Sequence, residues 1–598
     1  MLDSPRFFLD VDRSVSGRAW VDRLDAAGIR MAGAIRQQAG LSDILSRILA
    51  GRGVSAGEAD RFLVPTVRDL MPDPSTLTGM DALAVRLADA VERGEPVALF
   101  GDYDVDGACS VALVARYLRH FGLDPQVHIP DRIFEGYGPN IPAIDRLVDN
   151  GAKLLVTLDC GTASDEPIAH ARARGLDVLV IDHHLPDDDL PAATSLVNPN
   201  RPDDVSGLGY LCAAGVVFMA LVATNRELRR RGLADLPELM SLIDLVGLAT
   251  VCDVVPLVGL NRAFVLRGLE VARTGRNQGI AALALAGRLS GPMNAYHFGY
   301  IIGPRINAGG RIGDAALGAR LLMLDDQHEA LSLAQRLDEL NAERQRIEID
   351  AVDEAFRAAD AEIGGGDGPP VLVLASGTWH PGVVGLVAAR LRERYDRPAF
   401  AIAMQPDGTG TGSGRSMPGV NLGMAVVDAV ETGLLARGGG HAMAAGVTVP
   451  AGRIGAFRAY LAERLSNAVA LARAATSLAI DAGLSARGAT VELCHEIERA
   501  GPFGAGNPTP TFAFPSHRAK MAEIVGQAGH VRFVLTAEDG ARVPAMVFRG
   551  AGNPIGQAIL SAGADAPIHV AGTLSLDHWQ GREQVQLRVI DAAHPKPL

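Results

Sequence analysis

Three short apolar runs in the first third of the chain, 97–100, 154–158 and 178–181, each stop at residues that ligate metals. The first runs into Gly101-Asp102-Tyr103-Asp104-Val105-Asp106-Gly107, the second into Asp159-Cys160-Gly161 and the third into Asp182-His183-His184. Four or five β-branched or leucine-rich residues are too few for a buried helix and read as strands. Together with 126–129 they give strand candidates at 97–100, 126–129, 153–158 and 177–181, separated by helical stretches such as 108–120 and 142–150. Strand, loop and helix in repetition indicate a parallel sheet with helices on its faces. The carboxyl ends of parallel strands share one edge, where open α/β sheets build their sites, so the acidic groups can converge.

Asp102, Asp104 and Asp106 at alternate positions repel one another, and each costs desolvation energy if buried. Such a cluster is held together by cations, and an oxygen-plus-imidazole donor set suits Mg²⁺ or Mn²⁺. The spacing also matches the start of an EF-hand loop, but the twelfth position, which needs a bidentate Glu, is Leu113, and a strand rather than a helix precedes it. A dinucleotide-binding turn is excluded by three carboxylates where pyrophosphate would lie. Asp253, in Leu248-Ala249-Thr250-Val251-Cys252-Asp253, is a fourth carboxylate candidate. A lone Asp after a strand is commonly a helix cap, and paired histidines are often surface residues. Three strand ends of one sheet carrying such residues point instead to a binuclear metal site.

At 598 residues the chain exceeds one hydrophobic core, so the reading is an α/β multidomain protein. A helical lead-in occupies 1–90 and the parallel-sheet domain 91–325. A long connector helix, rich in Ala, Leu, Glu, Arg and Gln, fills 326–364; a helix buried inside one larger domain is the alternative. After Gly364-Gly365-Gly366-Asp367-Gly368-Pro369-Pro370 a second α/β domain spans 365–467, and alternating segments such as 530–535 and 584–589 make 468–598 a small all-β domain. The net charge of −13 argues against a broadly basic nucleic-acid coat, although bound metal would reverse the local sign at the acidic motifs. Five scattered cysteines form no CxxC pair, no apolar run reaches membrane-spanning length without a charge, and the opening lacks the plan of a signal peptide. The expectation is a reduced, cytoplasmic protein with no membrane association.

Asp182-His183-His184 is the signature of the DHH phosphoesterases, and Asp104-Val105-Asp106-Gly107 resembles their first motif. Trp379-His380-Pro381-Gly382, Gly412-Ser413-Gly414-Arg415-Ser416 and Gly438-Gly439-Gly440-His441 are similar to motifs of the accompanying DHHA1 domain. Gly303-Pro304-Arg305-Ile306-Asn307-Ala308-Gly309-Gly310-Arg311 and Pro502-Phe503-Gly504-Ala505-Gly506-Asn507-Pro508 are closer to the family's bacterial branch of single-stranded-DNA exonucleases. The resemblance covers roughly residue 40 to the end.

It implies a DHH domain, a DHHA1 domain and an OB-like domain, with two divalent cations, Mn²⁺ or Mg²⁺, as cofactors. Asp104 and Asp253 would hold one ion, Asp106 and His183 the other, with Asp159 bridging. Asp102 is a further ligand or a neighbour of the ligands. Asp182 would orient the imidazoles, and His184 would stabilise or protonate a phosphate oxygen. Ser413, Arg415 and His441 would hold a DNA end, while Arg305, Asn307 and Arg311 are either strand contacts or partners in ordinary salt bridges. Arg532, Phe533, Phe548, Arg549 and Trp579 are candidate surface residues of the OB-like domain, with at least one Phe expected in its core; Trp379 is expected to pack.

The implied activity is metal-dependent hydrolysis of single-stranded DNA from 5′ to 3′, in DNA repair and recombination. A phosphodiesterase acting on cyclic dinucleotides or short oligonucleotides is the alternative, and a catalytically silent scaffold is a third. An OB-like domain speaks against the second and the filled ligand positions against the third. Single-stranded DNA is the implied partner; a single-stranded-DNA-binding protein and a helicase stay open as protein partners.

Overall fold

The computed structural model describes residues 7–132, 134–186, 189–563, 566–579 and 582–596, apart from the side chains of 578, 579 and 582. The chain forms two compact units, one of Met71–Val255 with Phe264–Ala475, the other of residues 7–70 with Pro256–Ala263 and the segment from Thr476 onward.

The first unit contains a five-stranded, wholly parallel sheet in the spatial order Gln126–His128, Val97–Gly101, Leu154–Leu158, Asp177–Ile181, Ser195–Val197. Its central strands are buried on both faces, which is why they read as continuous apolar runs rather than alternating ones. Ser195–Val197 escapes the sequence reading because it is three residues long and sits on the sheet edge. In chain order the strands run 2-1-3-4-5, so the connections reverse direction between Val97–Gly101 and Leu154–Leu158. That is the point at which such sheets open a crevice.

Register sets the site. Gly101 lies opposite Leu158, Leu158 opposite Ile181, and Ile181 opposite Val197. The residues that follow, Asp102, Asp159, Asp182 and Asn198, therefore emerge side by side along one edge.

The helix Gln327–Ile363 starts at Asp326, whose side chain accepts the Glu329 N–H, and stops at Gly364. At 1.5 Å per residue it is about 55 Å long. Its second half buries Ala351, Ala355 and Ala359 against Leu372, Leu374, Val384 and Val387 of the following domain. That domain has a second five-stranded sheet, ordered Arg437–His441, Ala444–Pro450, Thr409–Arg415, Ala399–Met404, Leu372–Ser376, and only its last pair is parallel. Trp379 packs in its core, as expected.

In the second unit, Phe512–Val525, His530–Thr536, Arg542–Val547, Arg582–Ala593 and Pro567–Trp579 form a sheet that closes when its last strand pairs with the first. This is the closed five-stranded barrel of an OB-like domain. Phe512, Phe514 and Phe533 fill it, so Phe533 is core, while Phe548 stays 46% exposed beneath the Arg588 guanidinium. The Arg532 guanidinium is held by Glu523. The side chain of Trp579 lies outside the described residues. Strand Ala19–Asp22 pairs in parallel with Ser477–Ile480, and the wholly buried Trp20 donates its indole N–H to Asp591 Oδ2 at 3.1 Å.

Candidate metal centre

The first acidic loop is shaped by a glycine and a cap. Asp104 caps helix Val105–His120, its Oδ1 accepting the N–H groups of Asp106 at 2.9 Å and Gly107 at 3.1 Å. A Cβ on Gly107 would lie 2.4 Å from the Asp102 carbonyl oxygen, so only glycine lets the helix start so close to the strand end. Asp106 points back into the protein and accepts the N–H groups of Ala213 at 2.7 Å and Ala214 at 2.8 Å, the first turn of helix Ala213–Arg230. That helix end favours a carboxylate.

Asp159 adopts a left-handed backbone, φ 63°, and Asp253 is followed by Val254 at φ 60°. Such conformations cost energy in non-glycine residues and gather at functional sites. Asp253 closes helix Ile243–Cys252.

Asp182 spends one oxygen on the loop that bears it and the other on the loop after the neighbouring strand. Oδ1 accepts the N–H groups of His183 at 2.8 Å and His184 at 3.2 Å and faces His184 Nδ1 at 2.8 Å, while Oδ2 accepts the Thr162 N–H at 3.0 Å. His183 presents Nε2 to three carboxylates, at 3.3 Å from Asp159, 3.6 Å from Asp253 and 3.8 Å from Asp106. The ligand atoms fall into sets within 4.8 Å: Asp106 with His183 and Asp253, Asp102 with Asp104 and Asp159, and Asp159 with His183 and His184. Asp106 and His183, expected on one ion, share a set; Asp253 falls in that set, whereas Asp104, its expected partner, groups with Asp102 and Asp159.

Three buried atoms at this place, Asp102 Oδ1, Asp159 Oδ1 and His183 Nε2, have no hydrogen-bond partner among the described residues. Buried polar atoms are nearly always paired, and a missing ion is one of the few explanations for a cluster of exceptions. The residues fit a pair of divalent cations in number, donor type and proximity.

The charge balance agrees. Burial, and then the Asp104 charge, push the carboxyl of Asp106 up to about 7 and that of Asp102 well up; burial with Asp106 and Asp104 push Asp253 up to about 9 and Asp159 well above the carboxylate range. Burial pulls His183 down to about 4, leaving a neutral ring able to ligate. Burial acts the same way on His184, but its hydrogen bond to the Asp182 carboxylate and that charge outweigh it and carry it up to about 9. One histidine is neutral and the other cationic at neutral pH.

Several participants carry no sequence signal. Tyr137 donates its hydroxyl to the Asp159 carbonyl at 3.1 Å and stands 3.0 Å from His184 Nδ1. Asn198 donates to the His184 carbonyl at 2.8 Å and Asn200 to that of His183 at 2.5 Å, fixing the histidine loop from the neighbouring strand end. The one available clue is that Asn198 follows the apolar pair Leu196-Val197, as Asp159 and Asp182 follow longer apolar runs.

The basic candidates divide. Arg305 is committed to Asp338, at 2.8 Å, and to the Ile301 carbonyl at 2.6 Å. Asn307 is half-buried on the same helix, Gly303–Ile312. Arg311 donates to the Gly382 carbonyl at 3.1 Å, and burial together with the charges of Arg132, Arg344 and Arg415 brings it down to about 10. Arg415 Nη1 donates to Ser413 Oγ at 2.8 Å and to the Gly414 carbonyl at 2.9 Å, and its Nη2 has no hydrogen-bond partner among the described residues. Arg132 stacks over Tyr103 inside the acidic loop, 5.2 Å from the ring centroid, and its charge reaches Asp102, Arg311 and Arg415. A cationic rim thus stands beside the acidic centre. His441 is exposed on the edge strand Arg437–His441. The glycines of 303–310 serve close packing: a Cβ on Gly310 would meet the Tyr103 carbonyl at 2.8 Å and one on Gly303 the Cys252 sulfur at 2.5 Å.

Comparison with known proteins gives three domain matches: the N-terminal domain of the DHH family over residues 96–249, the DHHA1 domain over 368–467 and the RecJ OB domain over 480–591. The chain is 34% identical over 574 residues to the single-stranded-DNA-specific exonuclease RecJ of Escherichia coli strain K12, covering 93% of this chain and 96% of that one. It is 31% identical to the Bacillus subtilis protein of the same name, covering 94% and 69%. Crystal structures of RecJ from Thermus thermophilus, in complex with Mn²⁺ and with Mg²⁺, superpose with TM-scores of 0.78 and 0.72 at 28% identity; each covers 97% of this chain and 80% and 78% of its own.

Proposed function

The chain belongs to the RecJ family of single-stranded-DNA-specific exonucleases, and we propose that it is itself a metal-dependent exonuclease degrading single-stranded DNA from 5′ to 3′. The observation that carries this reading is the convergence of Asp102, Asp159 and Asp182, level on three adjacent strands, with Asp106, His183 and Asp253 around three buried atoms that lack partners.

Asp104, Asp106, Asp159, His183 and Asp253 would hold two cations, Mn²⁺ or Mg²⁺, with Asp102 beside them; Asp159, present in two ligand sets, suits the shared position. Bound there, the cations would lower the pKa of a water and neutralise charge on the phosphodiester. Asp182 keeps His184 oriented and charged, so that its outer Nε2 can meet a phosphate oxygen and give a proton to it. The rim of Arg132, Arg311 and Arg415, with Ser413 and His441, supplies donors for the phosphate of a DNA end. That end grip supports the polarity. A closed barrel with an aromatic and an arginine on its outside suits an extended single strand rather than a cyclic dinucleotide.

No described helix is long and apolar enough to cross a membrane, and all five cysteines are free, which accords with a cytoplasmic setting. Digestion of single strands labelled at the 5′ or the 3′ end, with Mn²⁺ and beside duplex and cyclic-dinucleotide substrates, tests the proposal. Early release of the 5′ label from single strands alone is expected. Early release of the 3′ label overturns the polarity, and preference for the dinucleotide overturns the function.

A further inference from the structure

Although acidic residues outnumber basic ones 69 to 56 in the whole chain, residues 271–313 contain no Asp or Glu and five arginines. On this stretch Tyr296 and Tyr300 stand 54% and 70% exposed, their rings stacked at 4.9 Å and 21°. Parallel stacking of two exposed rings orders both for no burial of their outer faces, whereas most exposed tyrosines are scattered singly.

The local backbone explains the pairing. Asn294 caps the turn that starts at Ala295, its side chain accepting the His297 N–H at 3.2 Å, and the chain passes into a π-helical segment, Phe298–Ile302. Such widened turns are rare and recur at functional sites. The buried face of the segment is Phe298 and Ile302; its exposed face carries Tyr300, and Tyr296 stands on the turn just before it.

This segment sits against the metal centre. Cys252, the residue before Asp253, donates its thiol to the Phe298 carbonyl at 3.4 Å. A Cβ on Gly299 would lie 3.3 Å from Val251, and one on Gly303 would lie 2.5 Å from the Cys252 sulfur. Tyr300, with Tyr296 stacked on it, is therefore carried on the segment packed directly beside Asp253. Arg288, exposed and with no acidic partner among the described residues, is on the adjoining loop, where a Cβ on Gly287 would meet Ile301 at 2.4 Å.

Resting on the single-strand reading above, we propose that Tyr296 and Tyr300 form a stacking platform for bases of the DNA strand as it leaves the metal centre, with Arg288 beside them for the backbone phosphates. An aromatic face accepts any base, so the platform holds sequence-independent substrate, and it engages bases only where they are unpaired. It thereby contributes to single-strand specificity.

Kinetics of the full-length enzyme with an oligothymidylate of about 12 nucleotides and with a dinucleotide test this. The Tyr296→Leu/Tyr300→Leu variant keeps apolar bulk without a π face, and its KM for the oligomer is expected to rise about 10- to 100-fold, with its KM for the dinucleotide unmoved. Tyr296→Phe/Tyr300→Phe should restore the wild-type KM. Tyr300→Trp, titrated with the oligomer before Mn²⁺ is added, should show indole quenching. A wild-type KM in the Leu variant, an equal loss on both substrates, or an indole signal indifferent to the oligomer would overturn the platform. Failure of the wild-type enzyme to digest single strands would instead overturn the function proposed above.

Discussion

His184 Nδ1 stands 2.8 Å from Asp182 Oδ1, the same oxygen that accepts the backbone N–H groups of residues 183 and 184. One carboxylate thereby fixes the shape of the histidine loop and the charge of its second ring. Replacing Asp182 by Asn removes the charge and keeps the size. His184 should then titrate below its present value of about 9, and turnover should fall about 10- to 100-fold, the usual loss when a partner of site histidines is removed. The pH profile of kcat, with its alkaline limb moved to lower pH, checks this.

Asp159 concentrates the repulsion of the centre, since burial and the charges of Asp106, Asp104, Asp102 and Asp253 all raise its pKa. Asp159→Asn should abolish turnover while raising the Tm of the metal-free protein. In wild type, Mn²⁺ at about 100 times its Kd adds about 2.7 kcal/mol; the variant should lose most of that gain. Thermal melts with and without Mn²⁺ read both effects, and DNA binding should persist.

Away from the centre, Asp244 is buried with its Oδ2 unpaired among the described residues, and burial pushes its carboxyl up to about 6. Its folded pKa lies above its unfolded one, so the stability it contributes is full below about pH 4 and is lost as pH rises through 6. Two pKa units correspond to on the order of 2–3 kcal/mol. Asp244→Asn should therefore melt higher than wild type at pH 8, with the difference vanishing near pH 4.

Trp20 is wholly buried against Ile480, Ala513, Ala571 and Ala593, and its indole N–H is bound to Asp591. Trp20→Ala should cost about 3–5 kcal/mol in the unit that contains the barrel and leave Asp591 short of a donor. Denaturant unfolding followed by hydrogen exchange at the barrel strands measures the loss.

The features legible in the sequence were local ones. Apolar runs of strand length, the acids that end them, and the 37-residue helix behind its Asp326 cap are each specified within a few turns of chain. Asp253 could be read in the same way, from an apolar stretch ending in an acid. Arg305 could not be resolved: its partner Asp338 is 33 residues away on another helix, and nothing short of packing distinguishes a tied arginine from a free one. Tyr137, Arg132 and Asn200 were invisible for the same reason, since each acts on residues outside its own motif.

By itself the sequence determined which residue types end the strands, because side-chain alternation, capping and glycine clearance act between near neighbours. Only the tertiary structure decided that Asp102, Asp159 and Asp182 stand level, that Asp253 joins Asp106 and His183, and that the last barrel strand returns to the first. Those outcomes depend on hydrogen-bond register between segments distant in sequence, and register is fixed only when whole faces are buried together.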